Sequence, residues 1–412
     1  MQTHLKPRLL ASETGRQADA VLRSCVHCGF CNATCPTYQL LGDELDGPRG
    51  RIYQIKQLLE GAPPSKSLRQ HLDRCLSCRA CETTCPSGVE YHKLLDIGRA
   101  QLEQALPRPF AERMYRRALQ WLFGRPQRVA PLLALGRMAY PLLPTALRRR
   151  VPVPPRLQQA RPGPHRRRML LLSGCVQPAA APQINIRAVQ VFDGLGIRLE
   201  TVPNSGCCGA LPYHLNDLDA ARRYARANID AWWREMETGS IEAIVSTASG
   251  CTPMLKDYAT LLAEEPDYAE RAASLAAKVR DLAEVLKEED LDNLKTTTPQ
   301  RIAFHAPCSL QHAQRLDGVV EDILARAGFE LVPVRNAHLC CGSAGTYSIL
   351  QAGISRRLGR EKAAALQEKH PQAIATANIG CLLQLQAHAD TPVVHWIELL
   401  ASTQNRLNTA NL

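Results

Sequence analysis

The sequence predicts a multidomain α plus α/β protein, with an α-helical domain at the amino end followed by a pair of βαβαβ repeats. Three observations predict it. The chain carries 16 cysteines in 412 residues. Eight of them crowd into the first 85 positions in two copies of one spacing, and the other eight recur at a nearly fixed offset in the carboxyl-terminal half. A chain of this length with 45% apolar content can bury enough surface for two or three domains.

Ordinary explanations for so many cysteines fail first. The amino terminus, MQTHLKPRLLASETGRQADAVLRS, scatters charges through the region where a secretory signal needs a continuous apolar stretch, so a cytosolic chain is expected. The longest apolar region, VAPLLALGRMAYPLLP at 129–144, is broken by Arg137 and by prolines. It falls short of the roughly 20 apolar residues that span a bilayer. Thiols kept in a reducing compartment are read as ligands or redox groups before disulfides.

The amino-terminal eight stand in CVHCGFCNATCP and CLSCRACETTCP, both of the form C-x2-C-x2-C-x3-C-P. This is the run of bacterial two-cluster ferredoxins. Three thiolates two residues apart let one tight loop wrap three corners of an iron–sulfur cube, and the fourth points toward the neighbouring cube. Carried onto this sequence, one [4Fe-4S] cluster takes Cys25, Cys28, Cys31 and Cys85, and the other takes Cys35, Cys75, Cys78 and Cys81. Gly29 and Ala80 leave room for backbone N–H groups to approach cluster sulfurs. A zinc site uses four ligands and has no need of a second C-x2-C step followed by C-x3-C-P, written twice. Between the motifs, GPRGRIYQIKQLLEG repeats Ile52, Ile55, Leu58 and Leu59 at helical spacing, with Pro48 suited to the first turn and Gly61 to the stop. The first hundred or so residues therefore read as an α-helical ferredoxin-like domain.

The second eight form an internal repeat. Cys175, Cys207, Cys208 and Cys251 align with Cys308, Cys340, Cys341 and Cys381, at offsets of 133 residues for three pairs and 130 for the last. Each copy opens on a buried-strand pattern, MLLLSGC or IAFHAPC, and continues through a helical pattern (Ile184, Val191, Leu195; Leu316, Val320, Ile323) to a short strand, IRLETV or FELVPV. GCCGA or LCCGS follows, then a further helix and a strand ending at ASGC or NIGC. Each copy reads as a βαβαβ unit with its thiols at the carboxyl ends of strands, where open α/β sheets place their ligands. Gly209 and Gly342 suggest tight turns around a bound group. Eight thiols in register exceed what small-hydrophobe packing explains. A further iron–sulfur cluster or zinc is the expected occupant.

Two such motifs followed by two CCG repeats resemble the family that includes the iron–sulfur subunits of anaerobic glycerol-3-phosphate dehydrogenase, lactate-utilisation complexes and heterodisulfide reductase B-type subunits. Within it, SCVHCGFCNATCPTYQLLGDELDGPRGRIYQIK and LDRCLSCRACETTCPSGVEYHKLLDIGR are similar to the glycolate-oxidising branch. The resemblance implies a subunit that passes electrons from FAD-containing partners, which oxidise glycolate to glyoxylate, toward a quinone or another acceptor. Lactate or glycerol-3-phosphate stays open as the substrate of the complex, and so does a stand-alone heterodisulfide-reductase-like enzyme. The fullest family pattern ends each repeat in C-x2-C, giving five ligands. Here Met254 and Gln384 hold those positions, so five-cysteine ligation is not expected. His305 and His312 flank Cys308 as substitutes, or as ordinary hydrogen-bonding residues.

The chain has no G-x-G-x-x-G after a strand, no P-loop, no H-E-x-x-H and no G-x-S-x-G, so substrate chemistry is expected on a partner and no residue here is assigned as catalytic. The net charge of +11 is confined. From Arg108 to Arg168 there are fifteen arginines and one acid, Glu112, which leaves the rest of the chain mildly acidic. Without aromatic stacking platforms or a nucleic-acid fold, nucleic acid is not an expected partner. RPFAERMYRRALQWLFG sets Phe110, Met114, Trp121 and Leu122 among arginines, as an interfacial helix does. The alternative is a linker packed on its own domains. The expected organisation is a cluster domain at 1–105, a basic connector at 106–168, and repeats at 169–290 and 300–412, in a cytoplasmic protein, with peripheral contact to the inner membrane face left open beside the linker reading.

Overall fold

The computed structural model describes residues 1–401 apart from Arg156 and Thr297; the stretch 402–412, part of the expected second repeat, lies outside the described residues. The chain is mixed helical and α/β with parallel sheets, and it forms two compact units. The first comprises Met1–Arg117 together with His338–Gly359. The second comprises Ala118–Ala337 and the chain from Arg360 onward.

The first unit is helical. Ser12 caps Glu13–Ser24 by accepting from the Gly15 N–H at 3.0 Å. Pro48 opens Pro48–Glu60, and Gly61, at φ +111°, stops it in a conformation that costs glycine little. Lys66–Asp73 and Tyr91–Ala105 complete the main helices. Their apolar faces meet in one core, with Leu22, Ile55, Leu72, Leu94 and Leu95 fully buried. Each such side chain contributes about 1.5–3 kcal/mol by leaving water. Gly98 sets how closely two helices approach, because a Cβ there would stand 2.8 Å from Ile55 Cγ1.

The second unit carries two four-stranded parallel sheets of like order. In the first, β1 (Arg167–Leu171), β2 (Ile197–Thr201), β3 (Ile241–Ser246) and β4 (Val279–Asp281) lie in the order β2-β1-β3-β4. In the second, β5 (Arg301–His305), β6 (Glu330–Leu331), β7 (Ala373–Thr376) and β8 (Val393–His395) lie in the order β6-β5-β7-β8. The central strands are apolar on both faces, as helix-covered parallel strands must be: Met169, Leu170, Leu171, Ile244 and Val245 are buried. The chain leaves β1 toward β2 on one side and returns to β3 on the other. That reversal falls at the carboxyl ends of β1 and β3, the place where open α/β sheets put their ligands, and Cys175 and Cys251 follow those strands.

Candidate metal centres

The two amino-terminal cysteine loops fold alike. His27 and Gly29 adopt positive φ (61° and 86°), and Ser77 and Arg79 do the same at the matching places of the second loop (53° and 60°). These left-handed residues reverse the backbone twice within five positions, which turns three thiols inward. The Ser77 N–H reaches Cys75 Sγ at 3.5 Å, and the His27 N–H bonds Cys25 in the same way.

The thiols gather across the loops. A cavity of about 420 Å³, its open mouth included, is lined by Cys25, Cys28, Cys31 and Cys85, and by Cys81, which lines the second cavity as well. A second, of about 390 Å³, is lined by Cys35, Cys75, Cys78 and Cys81. Burial, then the neighbouring Cys25 thiolate, pushes Cys31 up to about 11. Burial, then Cys78 and Cys75, pushes Cys81 well above the ordinary thiol range. Four thiols gathered at each cavity, some of them buried, offer the soft sulfur donors that a thiolate-ligated metal group takes.

Beside the second cavity lies a buried charge network that sequence patterns did not reveal. Arg51, 1% exposed, pairs with the fully buried Asp46 at 3.3 Å, donates to the His71 carbonyl at 2.7 Å and reaches Thr37 Oγ1 at 3.1 Å. Thr37 Oγ1 stands 3.2 Å from Cys35 Sγ. Asp46 also holds Arg74 at 2.7 Å and His71 Nδ1 at 3.0 Å, so two guanidinium groups share one carboxylate.

In the first CCG repeat the structure brings Cys175, Cys207, Cys208 and Cys251 together as free thiols, each hydrogen-bonded to the next in that order. The Cys207 hydrogen bond and burial push Cys175 well above the ordinary thiol value. A polar scaffold fixes the vicinal pair. Asn228 Nδ2 donates to the Cys207 carbonyl at 2.9 Å, its Oδ1 accepts from the Gly206 N–H at 2.9 Å, and Tyr258 donates to the Cys208 carbonyl at 2.8 Å. Gly209 follows at φ +88°, its N–H 3.4 Å from Cys207 Sγ. Met254 packs into the apolar core.

Of the second set, Cys340 and Cys341 lie on the His338–Gly359 segment of the first unit, while Cys308 and Cys381 belong to the second unit. The Gly342 N–H repeats the contact to Cys340 Sγ at 3.4 Å. In the second unit, a ring nitrogen of His305 and Cys381 Sγ lie within 4.8 Å of one another. His312 is buried too.

In the connector, Phe110–Phe123 buries Leu119 and leaves Phe110, Met114 and Trp121 70%, 45% and 60% exposed. Among the described residues no helix is long and apolar enough to cross a membrane.

Comparison with known proteins agrees with this arrangement. The model of a 4Fe-4S dicluster domain matches residues 21–89, and that of a cysteine-rich domain matches twice, at 169–256 and 302–386. The glycolate oxidase iron-sulfur subunit of Escherichia coli K12 is 48% identical over 97% of this chain and 98% of its own. The probable glycolate oxidase iron-sulfur subunit of Bacillus subtilis 168 is 32% identical over 90% of each chain. Lactate utilization protein A of Bacillus licheniformis is 28% identical over 55% of this chain and 96% of its own. Among solved structures, a hypothetical protein from Helicobacter pylori superposes with a TM-score of 0.52 over 95% of this chain and 72% of its own, at 10% identity, a likeness of fold alone. Matched nearly end to end by two such subunits, the chain belongs to the glycolate oxidase iron-sulfur subunit family.

Proposed function

We propose that the chain is the iron–sulfur electron-transfer subunit of a flavin-dependent glycolate oxidase, and that it is not catalytic alone. The observation that carries this is the crossed grouping of thiols: Cys85 joins Cys25, Cys28 and Cys31, and Cys35 joins Cys75, Cys78 and Cys81. Each set holds one [4Fe-4S] cluster, and such clusters, when bound, store and release single electrons. The cysteine thiolates bind, the loop N–H groups stabilise the sulfurs, and Ile52, Val89 and Tyr91 limit water around the first set. Oxidation of a 2-hydroxy acid removes two electrons and a hydride equivalent, so an FAD-containing partner takes the substrate and a quinone or other acceptor receives the electrons. The four thiols of the first CCG repeat support a further cluster or zinc there.

The test uses the full chain purified anaerobically from its native cell. It should carry about eight irons from the two amino-terminal sets, show no glycolate oxidation with artificial acceptors by itself, and bring down an FAD subunit with which activity appears. Glycolate turnover by the chain alone, or a native complex without flavin, would refute the reading. A complex that strongly prefers lactate would move only the substrate assignment, because specificity resides in the partner's pocket.

The basic connector is the surface proposed to meet anionic lipid on the inner face of the membrane. Its exposed Phe110, Met114 and Trp121 stand among arginines that complement lipid phosphates.

A further inference from the structure

His305 ends β5 with 1% of its surface exposed, and neither of its ring nitrogens has a hydrogen-bond partner among the described residues. Buried polar groups are ordinarily paired, because each one left bare costs about 1–3 kcal/mol. The backbone around it is well fixed. His305 pairs in register with Thr376 of β7, whose hydroxyl donates to the His305 carbonyl at 3.1 Å. Cys381, 5% exposed, sits in the first turn of Ile379–Gln386, with its sulfur within 4.8 Å of a His305 ring nitrogen.

The first repeat supplies the comparison. The residue 133 places earlier is Leu172, an apolar member of its repeat's core. The two repeats share their cysteine frame and differ at this point. Neutral imidazole is the form that donates a lone pair to a metal.

We propose that His305 is a metal ligand that, with Cys381, holds a thiolate–imidazole centre in the second repeat, occupied by zinc or by iron of an iron–sulfur cluster. Both metals accept this donor pair, and histidine replaces cysteine on iron in some clusters. Metal–nitrogen and metal–sulfur bonds of about 2.0–2.3 Å bridge such a gap with little movement. The ion would satisfy one of the ring nitrogens that have no partner among the described residues.

The test begins with the wild-type full chain, purified anaerobically with 15N-labelled histidine. Metal analysis distinguishes the two sources. For iron, pulsed EPR should show histidine nitrogen coupled to a cluster; for zinc, X-ray absorption should show a nitrogen in the first shell. His305→Leu installs the residue the first repeat already carries. It should abolish the nitrogen signal and lose one metal centre, with the clusters of Cys25 to Cys85 retained, while His312→Leu should change neither readout. Coordination by sulfur alone in the wild type, absence of any metal beyond the amino-terminal clusters, or an unchanged nitrogen signal in His305→Leu would overturn the proposal.

Discussion

Tyr347 donates its phenolic hydrogen to the carbonyl of Arg74 at 2.9 Å, although 273 positions separate them in the chain. Arg74 directly precedes Cys75, so this bond fastens the His338–Gly359 segment to the base of a cysteine loop within the first unit. Burial, then the Cys75 thiolate, pushes the Tyr347 phenol far up, which keeps it protonated as the donor. Tyr347→Phe leaves a buried carbonyl bare at a cost of about 1–3 kcal/mol. Hydrogen exchange should quicken across 338–359 more than across Pro48–Glu60; equal protection in both variants would deny the bond its anchoring role.

Arg51 is expected to set the potential of one cluster. Its permanent charge is screened little at 1% exposure, and it stands one hydroxyl away from Cys35. An electron arriving at the Cys35, Cys75, Cys78 and Cys81 set is stabilised by that charge. Arg51→Met should make this site harder to reduce by about tenfold or more in equilibrium constant, and Thr37→Val should act in the same direction more weakly. EPR-monitored redox titration reads both, and an equal shift of both clusters would rule out a local effect.

The proposed crossed ligation makes its own prediction. Cys35→Ser should damage the cluster held by Cys75, Cys78 and Cys81, and Cys85→Ser the one held by Cys25, Cys28 and Cys31. Mössbauer or EPR spectra of the two variants should therefore be complementary. Loss of the cluster from the mutated loop itself would refute the grouping.

Glu321, on Val319–Arg326, has a carboxylate oxygen without a partner among the described residues, and burial raises its pKa to about 7. A raised acid pKa contributes stability below the unfolded value of 4.5, and that stability is lost as pH rises through 7. Glu321→Gln should therefore stabilise the protein by about 1–3 kcal/mol at pH 8 and far less at pH 5. Thermal midpoints at the two pH values check this, and an equal gain at both would assign the effect to something other than ionisation.

The proposed attachment to anionic lipid through the connector should weaken with salt. Exposed charges are screened beyond about 8 Å at physiological ionic strength. Cosedimentation with anionic vesicles should fall between low and high salt, and Phe110→Ser with Trp121→Ser should lower it further at fixed salt. Binding that ignores both changes would leave the segment a linker.

The sequence made the ligand loops legible because their chemistry is local: C-x2-C-x2-C-x3-C-P needs no distant partner to be read. Pro48 and Gly61 likewise mark their helix from within. The short β4 and β8 carried no such signal, since three residues show no period. The Asp46, Arg51, His71 and Arg74 network was hidden for another reason, because charged residues read as solvated faces until packing buries them. Only the fold shows that His305 lacks partners among the described residues, since an unmet hydrogen bond is a property of surroundings.

The first unit is discontinuous, and that has a price in time. Its early part ends at Arg117, and its remaining piece, His338–Gly359, is separated from it by the whole 118–337 stretch. At a synthesis rate of about 5–20 residues per second, the nascent amino-terminal helices wait for at least about ten seconds before that piece leaves the ribosome. Contacts of such sequence separation form late in folding as well. Throughout that interval the loop at Cys75 lacks the Tyr347 anchor, which opens a window in which assembly factors can reach thiols that the finished chain partly covers.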